Sequence, residues 1–181
     1  MTSISHLFVA RSTKQLSVVK RFKHRRSYIK RRLYNAFILP AYNYGSDIWH
    51  FCSKCSKDKL EQLNTQALRT VLNSNLDYET LLKLIGSVNR ESSRVRNMLV
   101  TTYKTLYGLA PPYLRSLLKE RTTAYNLRGT LKLYLPRVTT TSFGLKSLRH
   151  AAPQVWNTLP DNIRTSENLI AFKRAIHNIT V

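Results

Sequence analysis

Apolar residues recur at intervals of three and four along much of the chain, as they do on the buried face of an α-helix. The segments with this spacing are 58–71, 78–85, 91–107 and three shorter ones opened by Pro111 and Pro112, by Pro153 and by Ser166. Helix-end residues agree with the pattern, because Asp77 is a candidate N-cap for the second segment and Gly86 follows it. Asp58 and Glu61 place acidic groups in the expected first turn of the segment at 58–71. The pattern predicts a mainly α-helical bundle.

The pattern changes after Glu120. Leucine occupies every second position of segment 131–135, and the hydroxyl-rich segment 139–142 follows Pro136, which together favour a small β-hairpin. Three parts are therefore expected: a basic helical leader at 1–32, a helical bundle at 33–120, and a hairpin with C-terminal helices at 121–181 that packs on the bundle.

The segment 11–32 is strongly basic and contains no acidic residue. Its ten cations are Arg11, Lys14, Lys20, Arg21, Lys23, Arg25, Arg26, Lys30, Arg31 and Arg32. Leu16, Val19 and Phe22 recur every third position within it, and an apolar stripe continues at Ile29 and Leu33, which favours basic helices with one apolar face. A solvated helix face is the alternative, but the lack of counter-charge favours a surface that faces phosphates.

The whole chain has 30 Lys and Arg residues against 9 Asp and Glu, a formal charge of +21. Such a charge repels itself unless a polyanion binds, and a phosphate backbone is the commonest partner of this kind. An anionic membrane is the rival, yet the apolar run before Pro40 is far too short to span one. The first ten residues lack the charged region of a secretory signal, and two cysteines cannot form a disulfide framework, so an intracellular setting is expected.

We expect the basic segment to supply the nucleic-acid-binding residues. They are Lys20, Arg21, Lys23, Arg25, Arg26, Tyr28, Lys30, Arg31 and Arg32. Tyr28 is the one aromatic residue among them, and its position between Arg26 and Lys30 suits stacking on a base. The aromatic residues that follow are assigned mostly to a core, because Tyr34, Phe37 and Ile38 keep helical spacing.

No catalytic site is predicted. The close acidic pairs, Asp58 with Glu61 and Asp77 with Glu79, lie at predicted helix starts, where capping explains them. The chain has no Asp-Asp pair, no glycine-rich phosphate loop and no Gly-x-Ser-x-Gly motif. The cluster of His50, Cys52 and Cys55 is one ligand short of a closed zinc site, so neither a metal nor another cofactor is expected.

Five segments in this order resemble the C-terminal part of reverse transcriptases from non-LTR (LINE-type, jockey-like) retrotransposons. They are YNAFILPAYNYGSDIWHF (34–51), DKLEQLNTQALR (58–69), NMLVTTYKTLYGLAPPYL (97–114), YNLRGT (125–130) and FGLKSLRHAAPQVWNTLPDNIRTSENLIAFKRAI (143–176). The last block, with Trp-Asn-x-Leu-Pro and Ile-Arg followed by Phe-Lys, is the most specific. The resemblance runs from about Thr13 to the end.

The resemblance implies a helical thumb and the region after it, which grip a template-primer duplex without reading its sequence. The family's catalytic aspartates lie in the palm, and nothing in this chain matches them. The expected function is thus a non-catalytic fragment of an RNA-directed DNA polymerase, from a truncated element, that binds RNA or an RNA/DNA duplex. Two alternatives stay open: a subunit that complements a palm supplied in trans, and a helical interaction module without a nucleic-acid role.

Overall fold

The structure is a computed structural model that describes residues 2–22, 24–44, 54–87, 90–121, 131–145 and 147–177. The chain divides into two compact units, Met1–Ser93 and Arg94–Val181. Helices build both units, and the described residues contain no strand, so the predicted mainly α fold is confirmed. The division predicted at residues 33 and 121 stays a prediction.

The first unit contains α1 (Thr2–Arg21), α2 (Ser27–Leu33), α3 (Leu39–Asn43), α4 (Lys54–Leu72) and α5 (Tyr78–Ile85). Its core joins apolar side chains from all five helices, including Leu16, Val19, Leu60, Leu68, Val71, Leu81 and Ile85. The apolar stripe predicted in the basic leader is therefore real at Leu16 and Val19, whereas Phe22 at the end of α1 is 37% exposed.

A π-helical turn, Tyr34–Ile38, connects α2 to α3 without a break. The backbone N–H of Leu39 donates to the carbonyl of Tyr34, five residues before it. Pro40 has no N–H to give to the carbonyl of Ala36, and its ring would clash with that carbonyl in a regular α-helix. A wider turn just before the proline relieves this conflict.

Helix α4 begins at Lys54, four residues before the predicted start. Asp58 and Glu61 therefore lie beyond its first turn, and their predicted role at the helix start is wrong. The buried face matches the prediction, because Leu60, Ala67 and Val71 are all at most 1% exposed.

Both predicted ends of α5 are confirmed. The Asp77 side chain accepts a hydrogen bond from the Thr80 backbone N–H at 3.0 Å. Gly86 has a φ of +69°, which an L side chain rarely adopts, and it ends the helix with its N–H on the carbonyls of Leu82 and Lys83.

The second unit takes in nearly all of α6 (Arg90–Leu106), and then α7 (Pro112–Arg115), α8 (Leu148–Thr158), α9 (Asp161–Arg164) and α10 (Leu169–His177). The helix predicted at 91–107 is confirmed, and Gly108, at a φ of +71°, follows its end. The helix predicted after Pro111 is shorter than expected, since it ends at Arg115 rather than Leu118.

The predicted hairpin is absent from the described residues. Segment 131–135 forms one isolated antiparallel bridge, between Leu133 and Glu120, and segment 141–145 is a π-helical turn. The side-chain amide of Asn157 in α8 takes the place of a second strand: it accepts from the Leu133 N–H at 2.9 Å and donates to the Leu133 carbonyl at 2.8 Å. The Trp156 indole adds a hydrogen bond to the carbonyl of Leu131 at 2.8 Å.

The C-terminal helices differ from prediction at their starts. Pro153 was expected in the first turn of its helix, but α8 begins at Leu148, and the buried ring of Pro153 lies in the helix interior. Asn168, not Ser166, caps α10, because its side chain accepts from the Ala171 N–H at 2.8 Å. The predicted inner face of α10 is confirmed at Phe172 and Ile176, which are at most 2% exposed.

The core of the second unit is centred on stacked aromatic rings. The ring centroids of Tyr103 and Phe172 lie 4.5 Å apart, and the Trp156 ring is tilted against Phe172 at 5.7 Å. Within the part of the chain that the structure describes, no helix is long and apolar enough to cross a membrane.

Candidate nucleic-acid interface

The basic segment folds into the C-terminal half of α1, a short connection, and α2. Lys20 and Arg21 lie in the last turn of α1, where the carbonyl end of the helix dipole favours positive charge. Arg25 and Arg26 lie in the connection, and Arg32 lies in α2. We call this region the α1–α2 corner.

Five cations of the α1–α2 corner are exposed: Lys20, Arg21, Arg25, Arg26 and Arg32. None of their side chains has an ion pair or hydrogen bond with another described residue. Lys23, the fifth predicted cation between residues 20 and 26, lies outside the described residues. The corner therefore concentrates positive charge that the described part of the chain does not neutralise.

Lys30 is placed differently from the other predicted binding residues. Its side chain is only 2% exposed, and its ammonium donates to the carbonyl of Thr70 at 2.9 Å. The hydroxyl of Ser27 donates to the next carbonyl, that of Val71, at 3.0 Å. Both carbonyls belong to the last turn of α4, where the helix leaves carbonyls without helical partners. Lys30 therefore fixes α2 against α4 and does not face an external phosphate.

Arg31 has a related role at the end of α5. Its side chain is exposed, but one guanidinium nitrogen donates to the carbonyl of Ile85 at 2.6 Å. Ile85 is the last residue of α5, so the cation meets the negative end of that helix dipole. Arg31 keeps further N–H groups, so it can bind a phosphate while it holds this contact.

Tyr28 lies on α2 at the same corner and is 59% exposed. Tyr28, the residue predicted to stack on a base, is close to Arg25 and Arg26 in the sequence, and the structure leaves most of its side chain accessible. Exposure of an aromatic ring next to cations is compatible with base stacking, the role expected of it from the sequence.

A polar cleft of about 620 Å³ opens at the α1–α2 corner. Its walls include His24 and Arg25 from the connection, Ser27 and Lys30 from α2, and Asn73 after α4. Three of the lining residues, His24, Arg25 and Lys30, have basic side chains, and Arg25 is exposed.

The aromatic residues after the basic segment divide into two groups. Tyr34 and Tyr42 are buried, as expected for core residues. Phe37 is 55% exposed and Tyr44 is 73% exposed, so the assignment of Phe37 to the core is wrong. The π-helical turn places Phe37 on the solvent side, and Pro40 was the sequence feature that pointed to an irregular helix. Trp49 and Phe51 lie outside the described residues.

The described acidic residues have structural partners or stand apart from one another. Asp77 caps α5, and the hydrogen bonds from the Thr80 hydroxyl and backbone N–H lower the pKa of its carboxyl. Asp161 pairs with the buried guanidinium of Arg164. Among the described residues, no three His, Cys, Asp or Glu side chains are close enough to hold a metal ion.

The predicted absence of a zinc site stays a prediction. Cys55 lies in the first turn of α4 and is exposed, whereas His50 and Cys52 lie outside the described residues.

Comparison with known proteins found no family model that matches the chain, and neither a curated protein nor a solved structure matches it.

Proposed function

We propose that the chain is a non-catalytic C-terminal fragment of a non-LTR retrotransposon reverse transcriptase that binds RNA or an RNA/DNA duplex through phosphate contacts. The family assignment depends on the sequence blocks quoted above. The binding role depends on the charge and its position, which are independent of that resemblance.

The α1–α2 corner is the observation that supports binding. Lys20, Arg21, Arg25, Arg26 and Arg32 are exposed, without partners among the described residues, and separated by few positions in the chain. Binding of a phosphate by these cations costs little free energy, because no internal ion pair has to be broken first. Phosphate contacts release condensed counterions, which makes them the main source of affinity for a strongly basic protein.

A surface of this type positions a duplex without selecting a sequence. Arginine and lysine contacts to phosphate and sugar carry no base information, and A-form duplexes are recognised mainly by backbone shape. Unrelated sequences should consequently bind with similar affinity. This is the behaviour required of a polymerase thumb, which has to release each base pair and bind the next.

Salt titration of binding tests the proposal. The logarithm of the association constant should fall linearly with the logarithm of salt concentration, with a slope of about −0.9 per contacted phosphate of a B-form duplex. Four or five simultaneous contacts would give a slope of roughly −3 to −5. If the affinity for nucleic acid does not change with salt concentration, or if no binding is found, the helical interaction module is favoured instead.

Two matched variants locate the surface. One changes Lys20, Arg21, Arg25 and Arg26 to Gln, and the other changes four exposed cations of the second unit, Lys132, Arg149, Lys173 and Arg174, to Gln. Both variants remove the same charge. The first should flatten the slope by about one per lost contact for every duplex sequence, and the second should leave it nearly unchanged. The opposite result would place the binding surface in the second unit.

A further inference from the structure

A second cleft, of about 480 Å³, lies between α1 and the helix that contains the π-helical turn. Phe37 and Tyr44 contribute aromatic rings to its wall, and Arg11 and Gln15 contribute polar groups from α1. Its volume falls within the range of roughly 300–1,000 Å³ that is usual for small-molecule sites. We call it the aromatic cleft.

The rings of the aromatic cleft are more accessible than core packing would leave them. Phe37 is 55% exposed and Tyr44 is 73% exposed, and both belong to one continuous stretch that begins in α2. Pro40 lies between them and also lines the cleft. Because the proline and the π-helical turn keep this stretch irregular, Phe37 remains on the outside while Tyr34 and Ile38 enter the core.

Gln15 gives the cleft a polar group that lacks a partner. Its side-chain oxygen is buried and accepts no hydrogen bond from any described residue. A buried acceptor without a donor is unfavourable, so a rotation of the Gln15 side chain that lets this oxygen meet the N–H group of a ligand is favourable. Arg11, one turn before Gln15 on α1, is exposed and lines the same cleft.

We propose that the aromatic cleft receives one unpaired base of a nucleic-acid strand. The base would stack on Phe37 or Tyr44, donate an amino or ring N–H to Gln15 Oε1, and leave its flanking phosphate near Arg11. Aromatic stacking is the means by which proteins hold single strands irrespective of sequence, and arginine assists it by cation–π contact. This inference rests on the proposed function, because the exposed cations would bring the strand to the protein.

An abasic strand separates the base contact from the phosphate contacts. Oligodeoxyadenylate of about 12 nucleotides and an abasic strand of the same length carry the same charge, but only the first has bases to stack. The wild-type chain should bind oligodeoxyadenylate about fivefold to a hundredfold more tightly than the abasic strand, since stacking of one base contributes that much.

Two variants of the aromatic cleft should remove this preference. Phe37→Ala with Tyr44→Ala takes away the rings, and Ala36→Leu fills the cleft from a neighbouring exposed position while both rings remain. Tyr113→Ala is the matched control, because Tyr113 is 71% exposed but belongs to the second unit. Circular dichroism checks that each variant keeps its helices. If the double variant loses its helices, Ala36→Leu alone decides the test.

The outcomes separate the two proposals. Loss of the preference in both cleft variants, with abasic affinity unchanged and the Tyr113→Ala control normal, supports the base site. Equal wild-type affinity for the two strands, or a preference that survives both variants, overturns the base site and leaves phosphate binding intact. A wild-type chain that binds neither strand overturns the base site, and the salt titration with a duplex then decides by itself whether phosphate binding stands.

Discussion

Replacing Asn157 by Asp tests how the second unit holds its extended segment. Asn157 both accepts from and donates to the backbone of Leu133, at 2.9 and 2.8 Å. Aspartate keeps the acceptor but loses the donor, and it places a carboxylate oxygen against the Leu133 carbonyl. The substitution therefore changes one hydrogen bond into a repulsive contact and leaves the side-chain size almost the same.

The magnitude follows from the burial of the partner. Leu133 is only 1% exposed, so water cannot replace the lost donor at its carbonyl. A buried acceptor left without a donor costs about 1–3 kcal/mol, and the contact between two oxygens adds to this. We expect Asn157→Asp to lower the free energy of unfolding by about 2–4 kcal/mol at neutral pH.

The loss should depend on pH. Facing a carbonyl oxygen in a partly buried site raises the pKa of the new carboxyl in the folded state. A carboxyl whose pKa is higher in the folded state than in the unfolded state stabilises the fold when it is protonated. This contribution is complete below the pKa of the unfolded state, about 3.9 for Asp, and disappears as the pH rises through the pKa of the folded state. Protonation restores a donor, so the difference from wild type should shrink as the pH falls toward about 4.

Urea unfolding followed by tryptophan fluorescence measures this difference. The indole of Trp156 is bonded to the Leu131 carbonyl, and the chain's other tryptophan, Trp49, is changed to Phe in all proteins compared. Asn162→Asp at an exposed position of α9 is the matched control and should change stability little at any pH. A difference that is small at neutral pH, or that stays constant with pH, would refute the role assigned to Asn157.

Two further substitutions test contacts of the first unit. Asp77→Asn keeps the cap of α5 but removes its titration. Because hydrogen bonds from Thr80 lower the pKa of Asp77, the wild-type chain should lose stability as the pH falls through that lowered pKa. An acid-unfolding series should show that the variant lacks this part of the loss. Tyr34→Phe removes a 2.8 Å hydrogen bond to the fully buried Asn64 and should cost about 1–3 kcal/mol in urea unfolding, whereas Tyr28→Phe at an exposed ring should cost almost nothing.

Local features were predictable from the sequence where the interacting groups are close in the chain. Asp77 caps the N–H of Thr80, three residues away, and Gly86 directly follows the helix it ends. Both depend on intrinsic residue preferences, so no knowledge of tertiary structure was needed.

The hairpin prediction was wrong because the groups that bind segment 131–135 lie far from it in the chain. Alternating leucines at 131–135 indicate an extended segment, but they do not identify its hydrogen-bond partner. One partner is the backbone of residues 119–121, and the other is the side-chain amide of Asn157, 24 residues later and on a helix. A side chain that imitates a strand leaves no periodic pattern in the sequence.

The candidate interface shows the same limit. A run of cations does not reveal which of them point inward, and Lys30 is held by the carbonyl of Thr70, 40 residues away. The aromatic cleft was missed because helical spacing was assumed to be regular from Tyr34 to Ile38. Pro40 signals an interruption of that spacing, but its effect on Phe37 is visible only in the structure.

The π-helical turn also determines which changes of chain length the protein can accept. The π-helical turn holds one residue more than the α-helical turn it replaces, so removing one residue from 34–38 would let the chain close into a regular α-helix with α2 and α3 nearly in phase. Pro40 would then meet the carbonyl four residues before it, the conflict that the wider turn relieves. Asn35 is exposed and can be exchanged for many residues, yet its deletion would bring back this clash. At this solvent-facing position the spacing of the chain, and not the identity of the side chain, is under structural constraint.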